Sequence, residues 1–121
     1  MLALIVDDSK VVRLASSQIL DSLKIKYEVA EDGSIALQKV KQTKYDFILL
    51  DWNMPNLDGM GFFKEAKKLS NFEGTKVIFC TTESEIDKIT KALEAGASEY
   101  VMKPFNREII EDKLKYLGIL E

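Results

Sequence analysis

The stretch LIVDDSK (residues 4–10) places two adjacent carboxylates, Asp7 and Asp8, directly after a run of apolar residues. A short, unbroken apolar run is typical of a strand that is buried on both faces of a sheet. Like charges repel one another, and the repulsion is stronger at the edge of a hydrophobic core. We therefore expect a positive group to lie close to these two carboxylates.

Apolar runs of this kind recur along the chain, at residues 2–6, 27–30, 47–50, 77–80 and 100–102. Segments with the apolar spacing of helices follow them, at 9–23, 34–43, 59–69, 84–95 and 106–117. In the first helix the predicted buried stripe is Val12, Ala15, Ile19 and Leu23, and in the fourth it is Ile86, Ile89 and Leu93. Five alternations of strand and helix predict an α/β domain with a doubly wound parallel sheet.

The composition limits the classes of function. The chain has 121 residues, the size of one domain, and we expect one domain over 1–121 with no output domain attached. Its net charge of −3 argues against nucleic-acid binding. We find no signal peptide or membrane-spanning run, and the single cysteine, Cys80, fits a reducing compartment, so we expect a cytoplasmic protein.

The chain contains no histidine. This absence excludes Ser-His-Asp triads, Cys-His pairs and nearly all zinc sites. Acid–base or metal chemistry must therefore come from carboxylates, lysines, hydroxyls or the backbone.

Polar side chains stand at the carboxyl ends of four predicted strands, where ligands bind in doubly wound sheets. They are Asp7 and Asp8, then Asp51, then Thr81 with Thr82, and finally Lys103. Three carboxylates at one place need a cation, and their oxygens suit Mg²⁺ or Mn²⁺. Lys103 supplies a second positive charge and is expected to pair with a carboxylate.

Such a site is suited to phosphoryl transfer. A carboxylate can attack phosphorus and form an acyl phosphate, and Asp51 is the best candidate because its strand is central. The metal ion and Lys103 would stabilise charge on the transferring oxygens, and a threonine hydroxyl could bond one of them.

Four motifs at matching spacing make the chain resemble the receiver domain of bacterial response regulators, the CheY-like family. The motifs are VDDS (6–9), LLDWNMPNLDG (49–59), CTTES (80–84) and EYVMKPF (99–105). The resemblance covers the whole chain, and the motif around Asp51 is similar to that of chemotaxis regulators. It implies a flavodoxin-like sheet of five parallel strands in the order 2-1-3-4-5, with five helices.

The resemblance also implies a role for each matching residue. Asp51 is the phosphoacceptor, Thr81 the switch hydroxyl and Lys103 the phosphoryl contact, with a cis peptide bond between Lys103 and Pro104. Tyr100 is the aromatic residue that changes rotamer. The Mg²⁺ ligands are Asp7, Asp8, Asp51 and the backbone carbonyl of Asn53. Thr82 is bulkier than the usual residue beside the switch hydroxyl, and the resemblance does not say how this alters access to the phosphoryl group.

A signalling function follows from the resemblance. The phosphoryl donor would be a sensor histidine kinase or a histidine phosphotransfer protein, and phosphorylation would reshape the surface of the fourth helix, fifth strand and fifth helix for a downstream protein target, as in chemotaxis. We expect a phosphoacceptor signalling protein rather than an enzyme, and a monomer; the sequence leaves open whether phosphorylation drives dimerisation.

Other interpretations remain at this point. The chain could be a phosphorelay intermediate or an adaptor that passes phosphate or occupancy to another pathway. An Asp-nucleophile phosphohydrolase is a distant alternative, because Asp7-Asp8 lacks the Asp-x-Asp pattern and no cap insertion follows. A binding module that keeps the site without using phosphate is another. The two aspartates could also be simple helix caps, and Tyr100 could be ordinary core.

Overall fold

Strands and helices alternate in the computed structural model, which describes residues 1–121. The strands are β1 (Leu2–Val6), β2 (Lys26–Ala30), β3 (Phe47–Asp51), β4 (Lys76–Thr81) and β5 (Glu99–Met102). The α-helices are α1 (Lys10–Ser22), α2 (Gly33–Gln42), α3 (Gly59–Ala66), α4 (Ile89–Glu94) and α5 (Arg107–Tyr116), and two 3-10 turns lie at Ser70–Phe72 and Glu83–Lys88. None of these helices has both the length and the apolar character that a membrane crossing requires.

The five strands form one parallel sheet in the order β2-β1-β3-β4-β5. This confirms the predicted flavodoxin-like topology with five helices. Because the chain winds in opposite directions from β1 and from β3, a crevice opens beyond the carboxyl ends of these two neighbours. The residues that follow β1 and β3 therefore line the place where a ligand is expected to bind.

Alternate residues of the central strands face two separate cores. In β3, Ile48 and Leu50 belong to the core that includes side chains of α2, α3 and α4. Phe47 and Leu49 belong to the core that includes side chains of α1 and α5. All five residues of β3 are buried, because helices cover both faces of the sheet, and this explains the unbroken apolar run in the sequence.

Helix α1 buries a face that is shifted from the predicted stripe. Its buried residues are Ser16, Ser17 and Leu20, whereas Ala15, a member of the predicted stripe, is exposed. The Ser17 hydroxyl donates to the Arg13 carbonyl at 2.7 Å, so it is satisfied within its own helix. Ile19 and Leu23 of the predicted stripe also pack against the core, so the apolar spacing predicted that part of the face and missed the two small serines.

The segment before β5 also differs from the prediction. Residues Glu83–Lys88 form a 3-10 turn, and only Ile89–Glu94 form the α-helix, in place of one helix over 84–95. Of the predicted stripe only Ile89 is buried, while Ile86 and Leu93 are each 42% exposed. Ile86 lies in the 3-10 turn, whose angular spacing differs from that of the α-helix, and within α4 Ala92 is buried with Ile89.

Gly59 lets the loop after β3 fold back onto the end of that strand. Its N–H donates to the Trp52 carbonyl at 2.9 Å, and a Cβ at this position would lie 2.2 Å from the Asp51 carbonyl oxygen. We expect Gly59→Ala to lower the free energy of unfolding by about 2 to 3 kcal/mol, because relief of the clash must shift backbone in a packed region. Urea unfolding measures the loss.

Gly61→Ala is the matched control, two residues further along the same helix. A Cβ there would meet the mobile end of the Leu57 side chain at 2.8 Å rather than backbone. The gain in helix propensity of about 1 kcal/mol offsets part of any strain. Equal losses in the two variants would contradict the proposed importance of the contact at Gly59.

Candidate functional site

The predicted site residues lie at the carboxyl ends of the strands, at one edge of the sheet. Asp51 is the last residue of β3, and Thr81 is the last residue of β4. Asp7 directly follows β1, and Lys103 directly follows β5. The pairing of Asp51 with Cys80 aligns the ends of β3 and β4. The ends of four strands therefore lie at one edge of the sheet, and residues at three of them, Asp7, Asp51 and Lys103, contact one another.

Lys103 is the positive group that the opening stretch requires. Its Nζ donates to Asp7 Oδ2 at 2.9 Å and to Asp51 Oδ1 at 2.8 Å. The side chains of Asp7 and Asp51 are only 4% and 7% exposed, and that of Lys103 is 18% exposed. These ion pairs are therefore largely shielded from solvent, and the predicted pairing of Lys103 with a carboxylate is confirmed. The Lys103–Pro104 peptide bond is cis, as predicted.

The two oxygens of the Asp51 carboxylate have different surroundings. Oδ1 accepts from Lys103 and from the backbone N–H of Trp52 at 2.9 Å. Oδ2 accepts no hydrogen bond from the protein, yet no buried side-chain polar atom lacks a partner. Oδ2 must therefore reach solvent, although Asp51 as a whole is 5% exposed. One oxygen is held in place while the other is open to an incoming group.

Burial and charge shift the pKa values of this pair. Burial raises the pKa of Asp51 to about 6, and the negative Asp7 adds to the rise, while Lys103 opposes it. Burial alone would lower the pKa of Lys103, but its bonds to Asp51 and Asp7 outweigh that effect and raise the pKa above its usual value. The lysine is therefore a fixed positive charge in the site, and an ionised Asp51 is costly to the folded protein without a further cation.

The three carboxylates fit a divalent cation. One oxygen from each of Asp7, Asp8 and Asp51 lies within 4.8 Å of the others. Asp8 is exposed, whereas the other two are buried, so the cluster opens to solvent on the Asp8 side. Several carboxylate oxygens at this separation match the hard oxygen ligands that Mg²⁺ and Mn²⁺ prefer.

The first helix is capped by Ser9 rather than by the aspartates. The Ser9 hydroxyl accepts from the Val12 N–H at 3.3 Å, and Asp7 Oδ1 accepts from the Ser9 N–H at 2.9 Å. Arg13 donates to the Asp7 carbonyl at 2.7 Å, a contact that the sequence did not suggest. Capping of α1 therefore does not use Asp8, which leaves its carboxylate at the mouth of the cluster.

Thr81 and Tyr100 take no part in the ion pairs of the cluster. Thr81 is fully buried, and its hydroxyl donates to the Thr82 carbonyl at 3.2 Å rather than to Asp51. Tyr100 is half-buried against the core on the α4 side of the sheet, with Lys113 Nζ 5.3 Å from its ring centroid. The geometry describes a threonine that is turned away from Asp51 and an aromatic ring at the surface formed with α5.

Sequence reasoning overlooked Glu85. This carboxylate is 7% exposed and accepts from the N–H and the hydroxyl of Thr82, at 3.1 and 3.0 Å, and from the Asn53 side-chain amide. The spacing Thr82-x-x-Glu85 is a capping-box pattern, so a local signal was present. The link to Asn53, by contrast, depends on the tertiary fold.

Cys80 is 3% exposed in the core, and burial raises its pKa to about 12.

The raised pKa of Asp51 predicts a pH effect on the metal-free protein. A folded-state pKa of about 6 above the reference value of 3.8 means that protonation of Asp51 stabilises the fold; the stabilisation is full below pH 3.8 and is lost as pH rises through 6. Asp51→Asn should therefore be more stable than wild type at pH 8 by on the order of 1 kcal/mol. The difference should shrink as pH falls toward 4.

Urea unfolding of both proteins in EDTA, across this pH range, measures the difference. Comparison with the variant is needed because Asp32 has the opposite dependence. Hydrogen bonds from the Ile35 N–H and Asn56 lower the pKa of Asp32, and its stabilisation is lost as pH falls. A difference that stays constant with pH would contradict the assignment to Asp51.

Comparisons with known proteins agree with this architecture. Residues 3–115 match the family model described as response regulator receiver domain. The chain is 31% identical over 116 residues to chemotaxis protein CheY of Pseudomonas aeruginosa, covering 95% of this chain and 94% of that protein. It is 32% identical over 115 residues to chemotaxis protein CheY-3 of Vibrio cholerae, covering 94% and 88%.

Solved structures give the same result. The chemotaxis response regulator CheY4 of Vibrio cholerae superposes with a TM-score of 0.88 at 33% identity, covering 96% of this chain and 97% of that chain. The receiver domain of the sensor histidine kinase PA1611 of Pseudomonas aeruginosa, solved with a magnesium ion in its active-site cleft, gives 0.86 at 28% identity and covers 97% of each chain. This chain belongs to the response regulator receiver domain family and is a phosphoacceptor protein of phosphorelay signalling.

Proposed function

We propose that this chain accepts a phosphoryl group on Asp51 from a phosphohistidine of a sensor histidine kinase or a histidine phosphotransfer protein. The observation that carries the proposal is the divided environment of the Asp51 carboxylate. Lys103 and the Trp52 N–H hold Oδ1, and Oδ2 is left open as the attacking atom. A carboxylate in this arrangement is oriented before the donor arrives, which lowers the entropic part of the barrier.

In the proposed transfer, Asp51 Oδ2 forms a bond to phosphorus as the bond between phosphorus and the donor imidazole nitrogen breaks. The electron pair of that bond stays with the imidazole, whose other ring nitrogen carries a proton, so the donor leaves as neutral histidine. Lys103, 2.8 Å from Asp51, balances the negative charge on the transferring oxygens. The absence of histidine from this chain agrees with the role of acceptor rather than donor.

Asp7, Asp8, Asp51 and the backbone carbonyl of Asn53 would hold Mg²⁺, or Mn²⁺ in its place. When bound, the ion supplies charge neutralisation for the phosphoryl oxygens and for the three carboxylates. The clustered carboxylate oxygens support this ligand set, and so does the magnesium ion in the cleft of the PA1611 receiver structure. Asp8, as the exposed member, is the first ligand that an entering ion would meet.

The proposed output is a change at the surface of α4, β5 and α5. The buried Thr81 hydroxyl would move toward a phosphoryl group on Asp51, and Tyr100 would pack inward in response. Phosphorylation would thus shift an equilibrium between two conformations rather than create a new one. Exposed Ile86 and Leu93 lie before and within α4 and offer apolar contact area for a protein target.

The chemotaxis relatives support a role in control of motility, through binding to another protein rather than through catalysis on a substrate. The net charge of −3 supports a protein partner and not a nucleic acid. The single cysteine is buried, which fits a reducing compartment such as the cytoplasm. We propose a monomer as the resting form.

Incubation with acetyl phosphate and Mg²⁺, followed by intact-mass analysis, tests the proposal. We expect a stoichiometric adduct of one phosphoryl group, mapped to the peptide that contains Asp51, and loss of the adduct when EDTA replaces Mg²⁺. Steady release of phosphate without an adduct would indicate a phosphohydrolase, and no reaction would indicate a binding module. Transfer of the phosphoryl group onward to a histidine protein would identify a phosphorelay intermediate.

A further inference from the structure

Glu85 forms a bridge between the loops that follow β3 and β4. Its Oε1 accepts from the N–H and the hydroxyl of Thr82, at 3.1 and 3.0 Å. Its Oε2 accepts from the Asn53 side-chain amide. We call these three contacts the Glu85 bridge. Glu85 as a whole is 7% exposed, so the bonds are partly shielded from solvent and stronger than on an open surface.

The Glu85 bridge does more than cap the 3-10 turn. A cap needs only the contacts to Thr82, whereas the bond to Asn53 spans 32 residues of sequence. Asn53 lies two residues after Asp51, and Thr82 directly follows Thr81. The bridge therefore connects the loop next to the phosphoacceptor with the loop next to the switch hydroxyl.

Both ends of Thr82 are held in the resting conformation. Glu85 accepts from the Thr82 N–H, while the Thr82 carbonyl accepts from the Thr81 hydroxyl at 3.2 Å. The Thr81 hydroxyl cannot turn toward Asp51 without giving up this bond. Because the Glu85 carboxylate holds both the N–H and the hydroxyl of Thr82, it restrains the residue whose carbonyl accepts from Thr81, and the bridge stabilises the orientation in which Thr81 bonds that carbonyl rather than Asp51.

A phosphoryl group on Asp51 would oppose the Glu85 bridge. Its anionic oxygens attract N–H and O–H donors, and two donors of the segment after β4, the N–H and the hydroxyl of Thr82, are bound to Glu85. The phosphoryl charge also adds to the negative charge of Glu85 on the adjoining loop. The loaded state therefore favours release of the bridge, and the bridge in turn disfavours loading.

We propose that Glu85 is a positioning residue that stabilises the unphosphorylated conformation and is released when Asp51 is loaded. This inference rests on the proposed function of Asp51. When only a fraction of the molecules are in the reactive conformation, the apparent affinity for the donor is reduced by that fraction. Weakening the bridge should consequently increase the response to a given amount of phosphodonor.

Glu85→Gln is the test variant. Glutamine keeps the capping-box pattern, but it loses the charge, and its amide cannot replace both acceptor oxygens. We expect the half-saturating concentration of acetyl phosphate, at fixed Mg²⁺, to fall by about fivefold, with little change in the maximal labelling rate. General loss of stability would not produce this separation of the two parameters.

Asp87→Asn is the matched control, because Asp87 is an exposed acid of the same 3-10 turn and the change in net charge is identical. Its half-saturating concentration should equal that of wild type. Thr82→Val removes the hydroxyl contacts to Glu85 and to Ser84 but keeps the N–H contact to Glu85, and it should show a smaller fall in the same direction. It also provides the test if Glu85→Gln does not fold.

The outcomes separate this inference from the function on which it rests. Wild-type labelling with an unchanged or higher half-saturating concentration in Glu85→Gln would overturn the role of Glu85 alone. An equal fall in Asp87→Asn would also overturn it, since the cause would then be net charge. Wild type that is never labelled would overturn the proposed function and this inference together.

Discussion

Asp51→Asn is expected to accept no phosphoryl group from acetyl phosphate under conditions that label wild type completely. An amide oxygen is a far weaker nucleophile than a carboxylate oxygen, and the acyl phosphate cannot form on it. Asp7 does not substitute as acceptor, because its Oδ2 is bonded to Lys103 and its Oδ1 to the Ser9 N–H. Intact-mass analysis after reaction in Mg²⁺ measures the loss.

Asp112→Asn provides the control, since Asp112 is an exposed aspartate of α5 outside the cluster. It should be labelled as wild type is. Residual labelling of Asp51→Asn, at a rate comparable to wild type, would mean that another carboxylate accepts the group and that the central role of Asp51 is wrong. Unfolding curves of the same samples verify that the variant is folded.

The topology and the cluster of site residues could be predicted because both depend on strands. A run such as FILLD marks a strand that is buried on both faces, and its last residue, Asp51, then has a known place at the carboxyl edge of the sheet. The same argument placed Asp7, Thr81 and Lys103. Parallel strands bring the ends of distant segments together, so the pairing of Lys103 with a carboxylate could be predicted without knowledge of the loops, and the structure shows bonds to both Asp7 and Asp51.

The buried faces of helices and the contacts between loops were harder to predict from the sequence. The stripe predicted for α1 is only partly right, because Ala15 is exposed and the buried Ser16 and Ser17 were not part of it. The orientation of the Thr81 hydroxyl and the bond from Asn53 to Glu85 depend on how two loops meet. Propensity describes neighbours along the chain, and it carries no information on contacts between residues 32 positions apart.

Lys103→Met should destabilise the metal-free protein by about 3 kcal/mol, the loss typical of breaking a buried ion pair from one side. Lys103 is bonded to both buried carboxylates of the cluster, so its removal leaves two negative charges without a partner in the interior. Methionine preserves much of the side-chain volume and removes the charge together with the two hydrogen bonds that the ammonium donates. Urea unfolding in EDTA measures the loss, with Lys64→Met, at an exposed position of α3, as the control.

Mg²⁺ should reverse much of this loss. Ligands that bind only the folded state raise its stability by mass action, and without Lys103 the cation no longer competes with an ammonium for Asp7 and Asp51. The melting temperature of wild type should rise at millimolar Mg²⁺, and that of Lys103→Met should rise further.

Adding Asp51→Asn to Lys103→Met should restore stability in EDTA, because one of the two unpaired charges is gone. A metal-free Lys103→Met protein as stable as wild type would show that the carboxylates tolerate one another unaided, and the electrostatic account of the site would then fail.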